Sequence, residues 1–132
     1  MIVLDTHVLI WWVDGDERLS PVARRAIEDE LTGRQQLLIS AISAWEIAML
    51  IEKGRLVLTM DIGDWLATVE AIEGVVFVPV DHEVAVQSVR LPGEFHPDPA
   101  DRMIVALARH HAVPLLTADA KIQAYRHVQT VW

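Results

Sequence analysis

Short apolar runs alternate along this chain with longer segments whose apolar residues recur every three or four positions. The segments have the spacing of amphipathic helices, and several begin at a Ser, Thr or Asp suited to capping and stop at a glycine. The short runs are typical of strands buried on both faces, and they lie at residues 2–4, 37–39, 75–78, 113–116 and 128–131. Strands that alternate with helices predict an α/β fold, here a three-layer α/β/α domain with a mostly parallel central sheet.

Length and composition narrow the class of protein further. With 132 residues, of which 52% are hydrophobic, the chain is expected to form one domain over residues 1–132 with one substantial core. It has no cysteine, which excludes disulfides and thiolate zinc sites and fits a reducing cytoplasm. No apolar run is long enough to span a membrane, so we expect a cytoplasmic protein. The net charge of −8 argues against non-specific attraction to nucleic acid.

Four acidic residues are placed where a parallel sheet would bring them together. Asp5 and Asp119 directly follow predicted strands, and Glu46 follows a third strand after a short turn. Asp98 and Pro99 read as a cap and first residue of a helix, which puts Asp101 in its first turn. Functional groups of such sheets gather at the carboxyl ends of the strands. The acids are therefore predicted to converge on one edge.

Each acid alone has an ordinary structural explanation, because carboxylates favour helix N-termini. Ser43 and Glu46 even have the spacing of a capping box. Asp5, Glu46 and Asp119, however, have apolar neighbours in the sequence and no adjacent Lys or Arg. If they converge, their mutual repulsion and the loss of hydration disfavour the charged carboxylates unless a positive charge lies nearby. A divalent cation would supply it, and oxygen ligands without cysteine favour Mg²⁺ or Mn²⁺ over zinc.

Four ordered motifs carry a resemblance to a known family. They are MIVLDTHVLIWW at 1–12, SAISAWEIAMLIEKGRL at 40–56, LPGEFHPDPADRMIVALA at 91–108 and LLTADAKIQAY at 115–125. Together they resemble the PIN-domain ribonucleases, specifically the toxins of VapBC-type toxin–antitoxin modules. The resemblance implies a PIN-like fold and a Mg²⁺- or Mn²⁺-dependent endoribonuclease that leaves a 5′-phosphate and a 3′-hydroxyl.

The resemblance also assigns the site residues. Asp5, Glu46, Asp101 and Asp119 match the catalytic acidic quartet of the family. Of these, Asp5, Asp101 and Asp119 are the expected direct metal ligands, whereas Glu46 is expected to bind through water or to accept a proton. Thr6, Asp98 and Thr117 match supporting positions around the quartet. The implied partners are an RNA substrate, a cognate antitoxin and a second copy of the chain, with no membrane.

Two other functions are compatible with an acidic edge of this kind. One is a non-catalytic metal-binding or phospho-receiver-like regulatory module, although the chain lacks the adjacent acidic pair that a receiver carries after its first strand. The other is a metal-dependent phosphatase of small substrates. Incubation of RNA with Mg²⁺ separates both from a ribonuclease.

Surface contacts are harder to predict from the sequence. The apolar helix positions Ile62, Trp65, Leu66 and Val69 are the predicted homodimer surface. Trp11 and Trp12 point about 100° apart on a helix, so at least one is expected near the surface, as rim packing or as an interface. The basic residues available to contact RNA phosphates are Arg18, Arg24, Arg25, Lys53, Arg55 and Arg102.

Overall fold

Five strands form a single sheet in the computed structural model, which describes Met1 to Trp132. Across the sheet the first strand is central, the second and third lie on one side, the fourth and fifth lie on the other, and every pairing is parallel. This confirms the predicted mostly parallel α/β architecture. The strands, in chain order, are β1 (Ile2–Leu4), β2 (Leu37–Ser40), β3 (Val75–Val78), β4 (Leu115–Leu116) and β5 (Thr130–Val131).

Seven helices complete the fold, and each begins after an Asp or Ser whose side chain accepts a backbone N–H at the helix start. The capping residues are Asp5, Ser20, Ser40, Asp61, Asp81, Asp98 and Asp119. The helices are α1 (Thr6–Asp14), α2 (Pro21–Thr32), α3 (Ala41–Glu52), α4 (Ile62–Glu70), α5 (His82–Val89), α6 (Pro99–His111) and α7 (Ala120–Gln123).

The strand side chains alternate between two cores, one on each face of the sheet. On β1, Ile2 and Leu4 join the core under α1, α2, α3 and α4, whereas Val3 joins the core under α5, α6 and α7. Leu116 and Leu115 divide in the same way on β4. Because successive strand residues point to opposite faces, a strand buried on both sides needs this continuous apolar run. The helices on both faces complete the predicted three layers.

The chain reverses its direction of travel across the sheet at β1. From β1 it proceeds outward through β2 to β3, and it then returns to place β4 on the other side of β1. The loops that leave β1 and β4 consequently diverge and open a crevice above their carboxyl ends, which is where ligands bind in open parallel sheets. Asp5 and Asp119 leave these two strands.

Helix α3 begins at a different cap from the one that its sequence indicated. Its cap is Ser40, whose hydroxyl accepts from the Ile42 N–H at 3.2 Å, so Ser43 lies inside the helix and the predicted capping box with Glu46 does not form. The outer face of α3 is open to solvent, and Trp45 is 56% exposed.

The predicted homodimer surface on α4 is occupied by the chain's own core. Trp65 is 4% exposed and Val69 is fully buried, and Ile62 and Leu66 pack partly buried against the same core. Helix α4 contacts β3, the strand at one edge of the sheet, and uses its apolar face to do so. That prediction of the dimer surface is wrong.

None of the seven helices has the length and apolar character that crossing a membrane requires.

Candidate active site

The pairing of β1 with β4 brings the first and last acids of the quartet together. Leu4 lies beside Leu116 in the sheet, and the Asp5 N–H donates to the Leu116 carbonyl at 3.0 Å. The next residues along both strands, Asp5 and Thr117, therefore leave the sheet side by side. Asp5 is 3% exposed and Thr117 is fully buried.

Thr117 connects the two carboxylates through its hydroxyl. The Thr117 Oγ1 donates to Asp5 Oδ2 at 2.7 Å and accepts from the Asp119 N–H at 3.0 Å. The other oxygen of Asp5 accepts from the Thr6 N–H at 2.8 Å, and Asp119 Oδ1 accepts from the Lys121 N–H at 2.8 Å. One buried hydroxyl thus holds Asp5 and the backbone of Asp119 in a fixed relation.

Glu46 reaches the same edge from α3 and is held by Thr6. The Thr6 Oγ1 donates to Glu46 Oε1 at 2.5 Å and lies 2.8 Å from the Ser43 hydroxyl. Because Thr6 has one hydroxyl proton, which it gives to Glu46, Ser43 is the donor to Thr6. Ser43 is a fully buried residue of the site that the sequence analysis assigned only to a helix cap. Its position one turn before Glu46 was the available signal.

The third acid enters at the start of α6. Asp98 caps the helix and accepts from the Asp101 N–H at 2.9 Å, as the sequence predicts. Arg102 then anchors the preceding loop, because its guanidinium donates to the backbone carbonyls of Ser88 at 2.8 Å and Phe95 at 3.0 Å, and reaches those of His96 and Val89 at 3.3 Å. These contacts fix the loop that approaches the acids, so Arg102 is used structurally rather than left free for RNA.

Two histidines belong to the site, although the sequence indicated no role for them. His7 Nε2 accepts from the Ala118 N–H at 3.0 Å, and its Nδ1 lies 3.6 Å from Asp5 Oδ2. His96 Nε2 lies 3.1 Å from Asp101 Oδ2 but makes no aligned hydrogen bond although it is buried. Their sequence positions, two residues after Asp5 and five before Asp101, were the only hints.

The electrostatics of the site confirm that the acids are mutual neighbours. Burial and then the negative charges of the other acids raise the pKa of Asp101 to about 7. Burial is also the main cause of the raised pKa values of Asp5 and Glu46, and hydrogen bonds from the two threonines oppose it. The acids whose charges act on Asp101 are Asp5, Asp98, Glu46 and Asp119.

The donor set fits a hard divalent cation, although its side chains are not arranged around one. No group of three or more Asp, Glu, His or Cys side chains is positioned to hold a metal ion. Two of the carboxylates accept hydrogen bonds from the protein instead: Asp5 accepts from Thr6 and Thr117, and Glu46 accepts from Thr6. Free oxygens remain on Glu46, Asp101 and Asp119. Carboxylate oxygens are the ligands that Mg²⁺ and Mn²⁺ prefer, and a bound cation would stabilise the charged forms of Asp5, Glu46 and Asp101, whose pKa values are raised.

Replacement of Thr117 tests the hydroxyl that links Asp5 and Asp119. Thr117→Val keeps the volume but leaves a buried Asp5 oxygen and the Asp119 N–H without their partner. We expect the free energy of unfolding to fall by about 1–3 kcal/mol and nuclease activity to fall about 10- to 100-fold, as for other partners behind metal ligands. Urea unfolding and initial cleavage rates measure the two effects. Thr68→Val, at an exposed hydroxyl that donates to the Asp64 carbonyl one turn earlier in α4, is the control, and equal activities of both variants would contradict the role of Thr117.

Comparison with known proteins identifies the class that this fold and site define. The PIN domain family matches residues 2–128, so the chain belongs to the PIN-domain family, as the motifs predicted. It is 38% identical over 133 residues to Ribonuclease VapC22 of Mycobacterium tuberculosis, in an alignment that covers 99% of this chain and 98% of that protein. The chain is thus a homologue of a VapC ribonuclease along nearly its whole length.

Solved structures show the same fold at lower sequence identity. VapBC2 from Rickettsia felis, crystallised with a DNA fragment from its promoter, aligns with a TM-score of 0.71 at 14% identity, over 98% of this chain and 97% of that chain. Mycobacterium tuberculosis VapC20, a sarcin–ricin loop cleaving toxin, aligns with a TM-score of 0.64 at 15% identity, over 98% and 99% of the two chains. These similarities confirm the predicted PIN-like fold.

Proposed function

We propose that this protein is a Mg²⁺- or Mn²⁺-dependent endoribonuclease, formed by one PIN domain over residues 1–132, that acts as the toxin of a toxin–antitoxin pair. The observation that carries the proposal is the cluster of acids around Asp101, whose pKa rises to about 7 and which has no Lys or Arg side chain paired with it. The 38% identity to a VapC ribonuclease supports the activity. Cytoplasmic RNA is the proposed substrate.

Asp5, Asp101 and Asp119 would hold the metal. When bound, a divalent cation lowers the pKa of water, orients the scissile phosphate and neutralises the charge that develops on it. Thr6 orients Glu46 and Thr117 orients Asp5 by hydrogen bonds from their hydroxyls, and the second oxygen of Glu46 stays free. Asp98 fixes the start of α6 and so positions Asp101.

Glu46 is the best-placed proton acceptor of the four acids. Its Oε1 is held by Thr6 and its Oε2 makes no hydrogen bond, so one oxygen is fixed while the other is free to take a proton from an attacking water. Burial raises its pKa, which brings the carboxylate closer to the range in which a general base is effective near neutral pH. A glutamate borne on α3 also reaches further into the cleft than an aspartate.

The decisive experiment incubates purified protein with total cellular RNA and Mg²⁺ and maps the new ends. Wild type should produce 5′-phosphate and 3′-hydroxyl ends at internal positions, and Asp5→Asn should produce none while its circular dichroism spectrum is unchanged. Intact RNA with bound metal would favour the regulatory module. Release of inorganic phosphate from a monoester, with RNA intact, would favour the phosphatase.

Few basic residues are available to contact RNA phosphates. Arg18 is bonded to Asp16, Arg25 lies 3.5 Å from Asp29, and Arg102 is anchored to loop carbonyls. Arg24, Lys53 and Arg55 are the members of the predicted group without such a partner. Because the salt dependence of binding counts neutralised phosphates, we expect affinity to fall only shallowly with added salt.

The proposed protein partners are a cognate antitoxin and a second copy of the chain. A basic antitoxin segment would be drawn to a chain of net charge −8, above all to its cluster of carboxylates without basic partners. Homodimerisation needs a surface other than the apolar face of α4. The exposed apolar residues Trp45, Met60 and Val57, which are 56%, 44% and 87% exposed, are candidates for such contacts.

We expect a dimer in the absence of antitoxin. Multi-angle light scattering at micromolar concentration should give about twice the 14.8 kDa mass of the chain. Trp45→Ser should shift the mass toward that of the monomer. Trp65→Phe, on the buried face of α4, serves as the matched control. A monomeric wild type would contradict homodimerisation itself, whereas a dimeric Trp45→Ser would contradict only this surface.

A further inference from the structure

Three aromatic rings meet beside the acidic cleft, and none of them takes part in the cleavage chemistry proposed above. His7 and Trp11 lie one turn apart on α1 with ring centroids 4.9 Å apart. Trp132 contacts both rings, at 5.8 Å from Trp11 and 6.4 Å from His7. These three residues, called the aromatic cluster below, are each partly exposed.

Sheet topology places the aromatic cluster at the edge where the acids lie. Trp132 follows β5, Asp119 follows β4 and Asp5 follows β1, and these three strands are parallel neighbours. Their carboxyl ends therefore open on the same side of the molecule. His7 connects the aromatic cluster with the acids, since its Nδ1 is 3.6 Å from Asp5 Oδ2. The aromatic cluster is thus continuous with the proposed cleavage site.

The rings of the aromatic cluster are tilted against one another rather than stacked in parallel, at angles of 56° to 69°. The guanidinium of Arg18 lies 5.0 Å from the centroid of Trp11, and the Arg18 side chain is 68% exposed. The side of the Trp11 ring that Arg18 contacts is therefore reached from solvent, and a base that stacks there would take the place of the guanidinium.

We propose that the aromatic cluster is a nucleobase-binding site, which stacks an unpaired base next to the phosphodiester that is cut. The inference rests on the proposed function, because it takes RNA as the ligand. Stacking on aromatic faces is tolerant of sequence and needs no positive charge. Stacking therefore gives affinity for RNA that does not depend on phosphate contacts, which a protein with a net charge of −8 and few free cations can make only sparsely. The ligand class is single-stranded RNA with at least one unstacked base.

Trp12 provides a matched control for ordinary rim packing. Trp11 and Trp12 are adjacent on α1, both are partly exposed and both pack against the same core. Only Trp11 takes part in the aromatic contacts of the cluster. If packing were the whole role of these rings, replacement of either tryptophan would have the same effect.

The test measures the affinity of two fluorescein-labelled RNA probes by anisotropy. One is a 12-nucleotide RNA of random sequence, and the other is an abasic ribose-phosphate chain of the same length. All proteins carry Asp101→Asn so that the probes stay intact. Trp11→Leu and Trp132→Leu should each weaken binding of the ordinary RNA about tenfold, within the range found when a stacking aromatic is removed. Trp12→Leu and Trp11→Phe should change it less than threefold, and binding of the abasic chain should not change in any variant.

Each other outcome overturns the inference. Equal losses in Trp11→Leu and Trp12→Leu, or equal losses on both probes, would assign the rings to packing. Unchanged affinity in Trp11→Leu and Trp132→Leu would leave the aromatic cluster as a surface for something other than RNA. If Trp11→Leu fails to fold by circular dichroism, Trp132→Leu and Trp11→Phe still decide the question.

Failure of the inference is distinct from failure of the proposed function. Wild type that cuts cellular RNA, while its Asp101→Asn form binds ordinary and abasic chains equally, would refute the nucleobase site and leave the ribonuclease intact. Wild type that cuts no RNA would refute both.

Discussion

Asp101→Asn should reduce RNA cleavage by at least about 100-fold and at the same time make the metal-free protein more stable. The activity loss follows because the substitution removes a proposed metal ligand, and loss of a residue behind a ligand already costs about 10- to 100-fold. The gain in stability follows because burial and four neighbouring acids disfavour the Asp101 charge. Above pH 7 we expect the free energy of unfolding to rise by about 1–3 kcal/mol, less than the full shift implies because the side chain retains 17% exposure.

Asp64→Asn is the matched control for this experiment. Asp64 and Asp101 both occupy the third position of a helix whose cap is an aspartate, at α4 and α6 respectively, but Asp64 is exposed and outside the cluster. Its replacement should leave cleavage unchanged and destabilise the protein by about 0.3–1 kcal/mol through the helix dipole. Undiminished cleavage by Asp101→Asn would remove this residue from the mechanism, and a loss of stability like that of Asp64→Asn would refute the repulsion argument.

Mg²⁺ binding should weaken steeply as the pH falls below 7. A metal ligand must be deprotonated, so a proton competes with the cation wherever the pKa of the ligand exceeds the pH. With the pKa of Asp101 at about 7, apparent affinity should drop about tenfold for each pH unit between 7 and 5. The raised pKa values of Asp5 and Glu46 act in the same direction. Calorimetric titration of Mg²⁺ at pH 5.5, 6.5, 7.5 and 8.5 measures the effect.

The metal-free protein should show the opposite trend in stability. Since the pKa of Asp101 is raised in the folded state, the folded protein takes up a proton between about pH 7 and pH 4 that the unfolded chain does not. Its free energy of unfolding should therefore increase as the pH falls through this window. The groups that face Asp101 are Asp5, Glu46, Asp98, Asp119 and His96.

The same substitution isolates the contribution of Asp101 to both trends. In Asp101→Asn the rise in metal-free stability between pH 7 and pH 4 should shrink, while the exposed Asp64→Asn should retain it. An Mg²⁺ affinity that is flat from pH 5.5 to 7.5 would show that Asp101 is ionised throughout and would contradict its raised pKa.

Local sequence patterns determined most of the fold. The apolar runs predicted all five strands, although β4 and β5 are shorter than expected at Leu115–Leu116 and Thr130–Val131. The start of α6 was correct because its cap, Asp98, stands directly before Pro99 and the helical spacing. Both signals depend on residues within a few positions of each other, so they can be read without knowledge of the rest of the chain.

The position of the acids also followed from the sequence, through one general rule. Asp5 directly follows β1, Asp119 follows β4 after two residues, and parallel strands end on one edge, so their proximity required no distance information. The motifs added Glu46 and Asp101 by resemblance to the PIN domains, and the structure brings both to the same edge.

Only the tertiary structure decided which side chains face which. The Ser43 hydroxyl supports Thr6 across 37 positions, and Thr117 holds Asp5 across 112. Trp65 and Trp45 have similar apolar surroundings in the sequence, yet the first is buried and the second is 56% exposed. Such outcomes depend on how helices pack on the sheet, which joins residues far apart in the chain. A period of 3.6 residues shows that a helix has an apolar face, but the neighbour covering that face is chosen by the whole fold.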